Sequence, residues 1–398
     1  MLVVYPAQRF AAWIGASSPE TLVFSGRAAV AVLSTITIPL TWMAARRLAP
    51  ADPRLAALAV LFLVINKLQM SFGSSELPRP VSTVFVVASF LVLLRGHLLA
   101  SAAAGALLGI AAAFQFSEVV FLPAAILTLH SERRLVHAAV LLGVAGLTLL
   151  GITAVADALY WGSPLASIAA IIDYTLVRGE SSRGYQPPWE YARAVPAWTT
   201  VLFAELAVAG SGRRHADTWW TWTPLVLLSV LPHKESRYLI PIIPFFSIAV
   251  ARGFLRSADW IRQSARAAGW RRWGRDLFAP ALLLAVLHEA GGWRLIRSNE
   301  GIRLSRYITA SGSGGVAAQE IWRLGGRPYL RQHHPVVALP SDSLDEVVLG
   351  PAVANITRVA LRTPAARGNG DAVMASLGFE RDPGWRGDAY VLYVRRAR

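Results

Sequence analysis

The chain contains no cysteine, which excludes a disulfide framework and any thiolate-held metal and leaves the redox compartment open. Lysine is nearly absent as well: Lys67 and Lys234 are the whole complement, and arginine supplies the rest of the 39 basic residues. Charged residues make up only 16% of the 398 positions, against 54% hydrophobic ones, and the mean hydropathy is +0.44. That is more apolar surface than one or two soluble cores can bury, so the chain belongs in a bilayer. A net charge of +15 would suit nucleic acid if the basic residues formed a face interleaved with aromatics. Here they occupy short loops between apolar runs, which is the pattern of membrane topology. Neither an internal repeat nor a long low-complexity tract is present. The glycine-rich Ser311–Gly315 has no Walker lysine and does not join a clear strand to a helix, which argues against a nucleotide cradle. His333-His334 has no partner at metal-ligand spacing and reads as a surface pair.

What is present is a series of apolar runs, at about 24–44, 55–71, 80–94, 98–115, 119–129, 135–156, 194–210, 217–231, 237–254 and 277–291. Several are shorter than a full span, and 119–129 is short enough to be re-entrant. Short linkers between them favour antiparallel neighbours, hence a mainly α helical bundle. Arginines fall in every second loop: Arg46, Arg47 and Arg54, then Arg95, then Arg133 and Arg134, then Arg213 and Arg214, then Arg256 to Arg275. By the positive-inside rule those loops are cytoplasmic, and the loops 72–79, 157–193 and 232–236, with everything after 291, face outward. The same alternation makes residues 1–23 external. Met1-Leu2-Val3-Val4-Tyr5-Pro6 is neither a signal peptide nor a spanning helix, so a further helix is expected ahead of Met1.

The most informative stretch is His233-Lys234-Glu235-Ser236-Arg237-Tyr238-Leu239-Ile240-Pro241. An imidazole, an ammonium, a carboxylate and a guanidinium at the mouth of an apolar segment are costly unless they serve a site or snorkel to the interface. Two further segments lie on the same side: Asp157-Ala158-Leu159-Tyr160-Trp161-Gly162, and the run from Gly179 to Tyr191 that includes Arg183, Tyr185, Pro188 and Trp189, followed by Pro196. In that order they resemble the His-Lys-Glu signature, the Asp-Ser-x-x-Tyr-Gly element and the Tyr-Gly…Pro-Trp loop of glycosyltransferase family twenty-two. These are the mannosyltransferases of GPI anchors and lipid-linked oligosaccharides, of the membrane-embedded GT-C class. Ala158 departs from the family's Ser, and Ser74 to Pro80 stands where the family has Arg-Thr-x-x-Asn.

The resemblance implies transfer of a mannosyl residue from a polyprenyl- or dolichyl-phosphate donor to a lipid-linked glycan, with inversion, outside the cytoplasm. The arginine bias suits a bacterial inner membrane; a eukaryotic source would place the site in the endoplasmic reticulum lumen. In such a transfer the leaving group is a lipid phosphate, so cations must meet its developing charge. His233, Lys234 and Arg237 take that role, with Glu235 positioning them. Arg183, Tyr185 and Trp189 fit an acceptor or sugar loop, although an interfacial aromatic belt explains Trp189 equally well. The attacking hydroxyl needs a carboxylate. Family members carry the principal acid in a first loop that a chain beginning at Met1 would lack, which would leave it inactive; Asp157 is the substitute, with a capping role as its ordinary alternative. Glu118, an acid at a span end, must be paired or wet. Trp219, Trp220 and Trp222 read as belt residues.

After about 292 the apolar runs shorten to strand length at Pro335–Leu339, Glu346–Leu349, Thr357–Leu361 and Ala389–Val394, while Val316–Leu324 is patterned as a helix. The expected organisation is a transmembrane glycosyltransferase domain over 1–291 and a small extracytoplasmic α/β domain over 292–398, with no cofactor, the polyprenyl-phosphate sugar being the donor substrate, and the sequence leaves a divalent metal open. Alternatives are a polyprenyl-phosphate transferase of another sugar, and a non-catalytic transporter or scaffold. A transporter would be marked by repeated halves with paired broken helices, which the sequence does not display.

Overall fold

A computed structural model describes residues 3–16, 18–75, 77–131, 134–173, 177, 186–213, 215–264, 271–290, 300–312, 314–319, 330, 335–339 and 353–396. Residues 27–293 form one compact unit, and residues 2–26 with 294–398 form another.

The first unit is a bundle of apolar helices. In chain order the helices up to residue 293 are α1 (Val4–Trp13), which belongs to the second unit, α2 (Pro19–Thr35), which begins in the second unit and ends in the first, and then α3 (Thr37–Leu48), α4 (Pro53–Ile65), α5 (Lys67–Phe72), α6 (Arg79–Leu93) and α7 (Leu98–Phe114) of the first unit. They continue with α8 (Phe121–Ser131), α9 (Leu135–Trp161), α10 (Ala166–Ile172), α11 (Glu190–Arg193), α12 (Val195–Trp198), α13 (Val201–Gly210), α14 (Ala216–Val230), α15 (Ile243–Ser264) and α16 (Arg271–Ala290). Among the described residues, Pro19–Leu48, Leu135–Trp161 and Ser236–Ile261 are long and apolar enough to cross a bilayer, and shorter apolar helices pack beside them. The described residues are thus mainly helical, as a membrane-embedded bundle requires.

Every apolar run of the sequence is helical, but several are broken inside, and the breaks have local causes. Asn66 ends α4 and starts α5, its side-chain oxygen accepting from the N–H groups of Leu68 and Gln69. Thr200 caps α13 in the same way through Phe203 N. Between α14 and α15 the chain takes a tighter 3₁₀ path over Ser236–Ile242, where Pro241 cannot donate to a helical ladder.

Packing is closest where side chains are smallest. A Cβ on Gly210 would lie 1.9 Å from the Ala249 carbonyl oxygen, and one on Gly253 would lie 1.9 Å from that of Leu206, so α13 and α15 meet backbone to backbone. Beside them Arg252 donates to both oxygens of the fully buried Asp217, at 3.0 and 2.9 Å, and to the Gly210 carbonyl at 3.0 Å. Trp220 is not a belt residue: it is fully buried, tilted or edge-on to Phe90, Phe121 and Phe245, with its indole N–H on Thr128. The apolar face of α14 therefore points into the core, which an aromatic count cannot reveal.

The second unit holds α17 (Glu300–Ala310) and a five-stranded mixed sheet of β1 (Gly315–Gln319), β2 (Val336–Leu339), β3 (Ile356–Arg362), β4 (Phe379–Arg381) and β5 (Tyr390–Arg395), in the order β2-β1-β3-β5-β4. β1 pairs in parallel with β2 and β3; β5 runs antiparallel to β3 and β4. The helix expected from Val316 is instead strand β1. All five of its residues are buried between two parallel partners, a setting in which strands lose the alternation that marks them in sequence. The strand expected at Glu346–Leu349 lies outside the described residues. Within this unit Glu20 pairs with Arg306 at 2.9 Å.

Candidate active site

The 3₁₀ segment that breaks the run between α14 and α15 is what presents the charged cluster. Glu235 sits at its start, with one carboxylate oxygen 3.1 Å from His233 Nε2 and the other paired with Arg237. One carboxylate thus ties an imidazole to a guanidinium. Lys234 is almost completely buried and is held by neutral acceptors: its ammonium donates to the carbonyl oxygens of Gln186 at 2.8 Å and Leu231 at 2.6 Å. Burial lowers its pKa below the ordinary lysine value, partly offset by the nearby Glu190 carboxylate. Two carbonyls leave one ammonium N–H for a ligand.

The 157–193 loop returns to the same place. Gln186 N donates to Pro232 O at 3.2 Å, and the Tyr191 hydroxyl donates to the Glu235 carbonyl at 3.3 Å. Burial pushes the Tyr191 phenol up, so it remains a neutral donor. Glu190 is held below the usual carboxylate range by its bidentate pair with Arg193 at 2.9 Å. Together these residues enclose a cavity of about 440 Å³ lined by Phe72, Gln186, Glu190, Tyr191, Ala194, Lys234, Glu235, Ser236 and Arg237. On the other side of Tyr191 a second, larger hollow of about 940 Å³ runs between α13 and α14, walled by Trp198, Val201, Val208, Trp222, Leu225 and Val226. A cationic mouth and an apolar groove therefore share one side chain.

Lys234, Glu235 and Arg237 line the cavity, and His233 touches it through Glu235. Asp157 does not line it: its carboxylate accepts from the Ser167 N–H at 2.7 Å and pairs with the Ser167 hydroxyl at 2.6 Å, fastening the end of α9 to the start of α10. Trp189 is 66% exposed and precedes α11 outside the cavity wall. Arg183 and Tyr185 lie outside the described residues.

Sequence reasoning did not assemble the layer behind the cluster. The guanidinium of the buried Arg79 lies 3.9 Å from the Tyr238 ring centroid and donates to Ser117 Oγ at 3.0 Å. The fully buried Glu118 accepts from Ser82 Oγ at 3.1 Å. So the acid at the span end is paired, and Arg79, noticed only as part of a departure from the family pattern, braces Tyr238 next to Arg237. The signal available was the charge of Arg79 and Glu118 inside apolar segments.

Residues 1–303 match the model of the Alg9-like mannosyltransferase family. Among solved structures, the chain is similar to ArnT from Cupriavidus metallidurans in the apo state, at 15% identity and a TM-score of 0.61, covering 93% of this chain and 83% of that one. It is similar to the same ArnT bound to undecaprenyl phosphate, at 14% identity and a TM-score of 0.61, covering 98% and 87%. The oligosaccharyltransferase of Archaeoglobus fulgidus, tethered to an acceptor peptide, matches at 13% identity and a TM-score of 0.55; 94% of this chain covers 63% of that one. At these identities the structures establish a shared fold, while the family match rests on the sequence of three quarters of the chain. The chain belongs to the Alg9-like mannosyltransferase family, as a membrane glycosyltransferase of GT-C architecture.

Proposed function

We propose that this protein transfers a mannosyl residue from a polyprenyl-phosphate donor to a lipid-linked glycan, on the extracytoplasmic face of a bacterial inner membrane. The observation that carries the reading is the shared wall at Tyr191: a cavity with Lys234 and Arg237 opens beside an apolar groove of about 940 Å³. A lipid phosphate has that same division, an anionic head joined to an isoprenoid tail. An ArnT of the same fold has been captured with undecaprenyl phosphate, which supports a polyprenyl carrier.

In the reaction the acceptor hydroxyl oxygen forms a bond to the anomeric carbon as the bond from that carbon to the phosphate oxygen breaks. The lipid phosphate leaves with the electron pair, and the sugar inverts. Charge accumulates on the phosphate, where the free N–H of Lys234 and the guanidinium of Arg237 stabilise it more than they stabilise the ground state. Glu235 accepts from His233 Nε2 and so orients the ring; a further hydrogen bond to the phosphate would come from Nδ1 and requires the doubly protonated imidazole. The hydroxyl proton must pass to a carboxylate; for Asp157 to accept it, a carboxylate that Ser167 holds outside the cavity wall would have to reach the acceptor. Residues 292–398 are assigned in this reading to an extracytoplasmic domain, in keeping with the arginine alternation that puts the cluster and the C-terminus on one side. No divalent metal is assigned.

The test is transfer from radiolabelled polyprenyl-phosphate mannose in membranes containing the protein, with polyprenyl-phosphate glucose and arabinose in parallel. Mannose incorporation that disappears in the His233→Ala and Lys234→Ala variants supports the reading. Incorporation of glucose or arabinose alone would replace the sugar but keep the carrier; incorporation unaffected by both substitutions would remove the site.

A further inference from the structure

The second unit contains a cavity that the transfer chemistry does not use. It measures about 340 Å³ and lies between α17 and the loop that joins β4 to β5. That loop, residues 382–389, is longer than the two to five residues that suffice to connect antiparallel strands, and much of its polar surface is spent on holding its shape. Asp382 accepts from the Tyr307 hydroxyl at 3.0 Å and from Gly384 N at 2.9 Å. Glu300, at the start of α17, accepts from the N–H groups of Asp388, Ala389 and Tyr390 at 3.1, 2.8 and 3.0 Å. The Trp385 indole N–H donates to the Tyr390 carbonyl at 3.0 Å.

Trp385, the aromatic residue within the loop, is held from several sides. Tyr307 packs against it at 5.5 Å between ring centroids, and the exposed Arg303 guanidinium lies 5.9 Å from its centroid. Its ring remains partly exposed at the cavity. Next to it the side chains of Arg386 and Asp388 are both exposed, and among the described residues no ion pair or hydrogen bond engages either side chain.

We infer that this pocket binds a saccharide, and, resting on the function proposed above, that the saccharide is the glycan of the acceptor. An indole offers an apolar face to the C–H side of a pyranose ring. A sugar hydroxyl both donates and accepts, so it can satisfy a carboxylate and a guanidinium at once. Arg303 and Arg386 supply donors, and Asp388 supplies the acceptor. The lining sets Arg303, Arg381 and Arg386 against Glu300, Asp382 and Asp388, so neither a simple anion nor a simple cation meets charge of one sign there, whereas a neutral polyol uses donors and acceptors alike. Pre-arrangement of the loop by Glu300 and Asp382 removes ordering cost from binding.

The probe is free mannotetraose, offered to the full-length protein purified in detergent and read by saturation-transfer NMR, with inorganic phosphate as the competing anion. The expected result is saturation transfer to the sugar protons that phosphate does not displace. The Arg386→Ala/Asp388→Ala double variant, altered only at exposed positions, should lose at least tenfold in affinity with an unchanged unfolding temperature. Trp385→Ala should abolish the signal, but because its ring also packs on Tyr307 the double variant carries the decision. Absence of saturation transfer in the wild type, displacement of the sugar by phosphate, or equal affinity in the double variant overturns the proposal. None of these readouts needs turnover, so a protein that binds mannotetraose but transfers no mannose would retain this site while refuting the proposed function. Where transfer is measurable, the double variant should raise the acceptor KM tenfold and leave kcat within a factor of two.

Discussion

Replacing Lys234 with methionine separates a structural lysine from a catalytic one. The ammonium makes two hydrogen bonds, to Gln186 O and Leu231 O. Both acceptors are backbone carbonyls, and Gln186, like Lys234 itself, lines the cavity of about 440 Å³, so water can replace the lost donor. Charge-assisted bonds are worth about 1.5–3 kcal/mol each when they cannot be replaced; with water access the loss in stability should be about 2 kcal/mol in all. The rate effect should be larger. Removing one preorganised donor to a developing anion costs about 3–4 kcal/mol, or roughly 10²–10³-fold in kcat. The assay pairs transfer of radiolabelled mannose in membranes with thermal unfolding of the detergent-solubilised variant, so that the rate is expressed per folded molecule. A Lys234→Met protein that is folded and transfers within threefold of wild type would refute the leaving-group role. So would a rate loss that vanishes after correction for folded protein, because it would leave Lys234 only a clip on the 186 segment.

Arg237→Ala should reduce transfer less than Lys234→Met, by roughly tenfold, because Glu235 already neutralises part of its charge; the same assay compares them. Transfer should fall on the alkaline side below the pH at which an ordinary lysine titrates, since burial lowers the Lys234 pKa and its ammonium is lost above that lowered value. Lys234→Arg, if it transfers at all, should have no such limb in a pH–rate profile. Stability moves the other way: between the lowered and ordinary lysine values the unfolded chain holds more protons, so this group makes folding more favourable as pH rises. Asp217→Asn should destabilise the bundle by about 3–5 kcal/mol by leaving Arg252 buried without its partner. Asp217→Asn with Arg252→Met should recover most of that in a thermal unfolding assay.

Hydropathy located the helices because burial in lipid or in the bundle imposes the same demand, a long apolar run. It did not locate the breaks. Asn66 and Thr200 each cost one polar residue in an apolar window, too little to interrupt a running average, yet each satisfies helix-end N–H groups and so ends one helix and begins another. The strand at Gly315–Gln319 was hidden for the opposite reason: Ala317, Ala318 and Gln319 favour helix locally, and only the two parallel partners make an extended chain the better solution. The charged cluster at His233 to Arg237 was legible because nothing but a site or an interface justifies it. Its partners were not, since Gln186, Glu190 and Tyr191 arrive from a loop more than forty residues earlier, and Arg79 and Glu118 from other helices. Spacing along a chain carries no information about such convergence.

The way each cation is held bears on what it can do. Had Lys234 been paired with a carboxylate, a lipid phosphate would meet a neutral pair and gain little on entering the cavity. Carbonyl oxygens fix the ammonium without an ion pair, so its charge, moderated by Glu190 across the cavity, faces the ligand from a position with almost no rotamer freedom left to lose. Glu235 does the complementary task, ordering His233 and Arg237 while lowering the net charge that the mouth of an apolar groove must carry. Of the two cations and two carboxylates that line the cavity, Glu235 is engaged by Arg237 and Glu190 by Arg193, so the Lys234 ammonium, held by carbonyl oxygens, is the charge left to meet a ligand next to the apolar channel. The proposed donor, which unites an anionic head with a long hydrocarbon tail, would satisfy both halves at once, burial of its tail in the Val201 to Val226 groove offsetting the desolvation of its head.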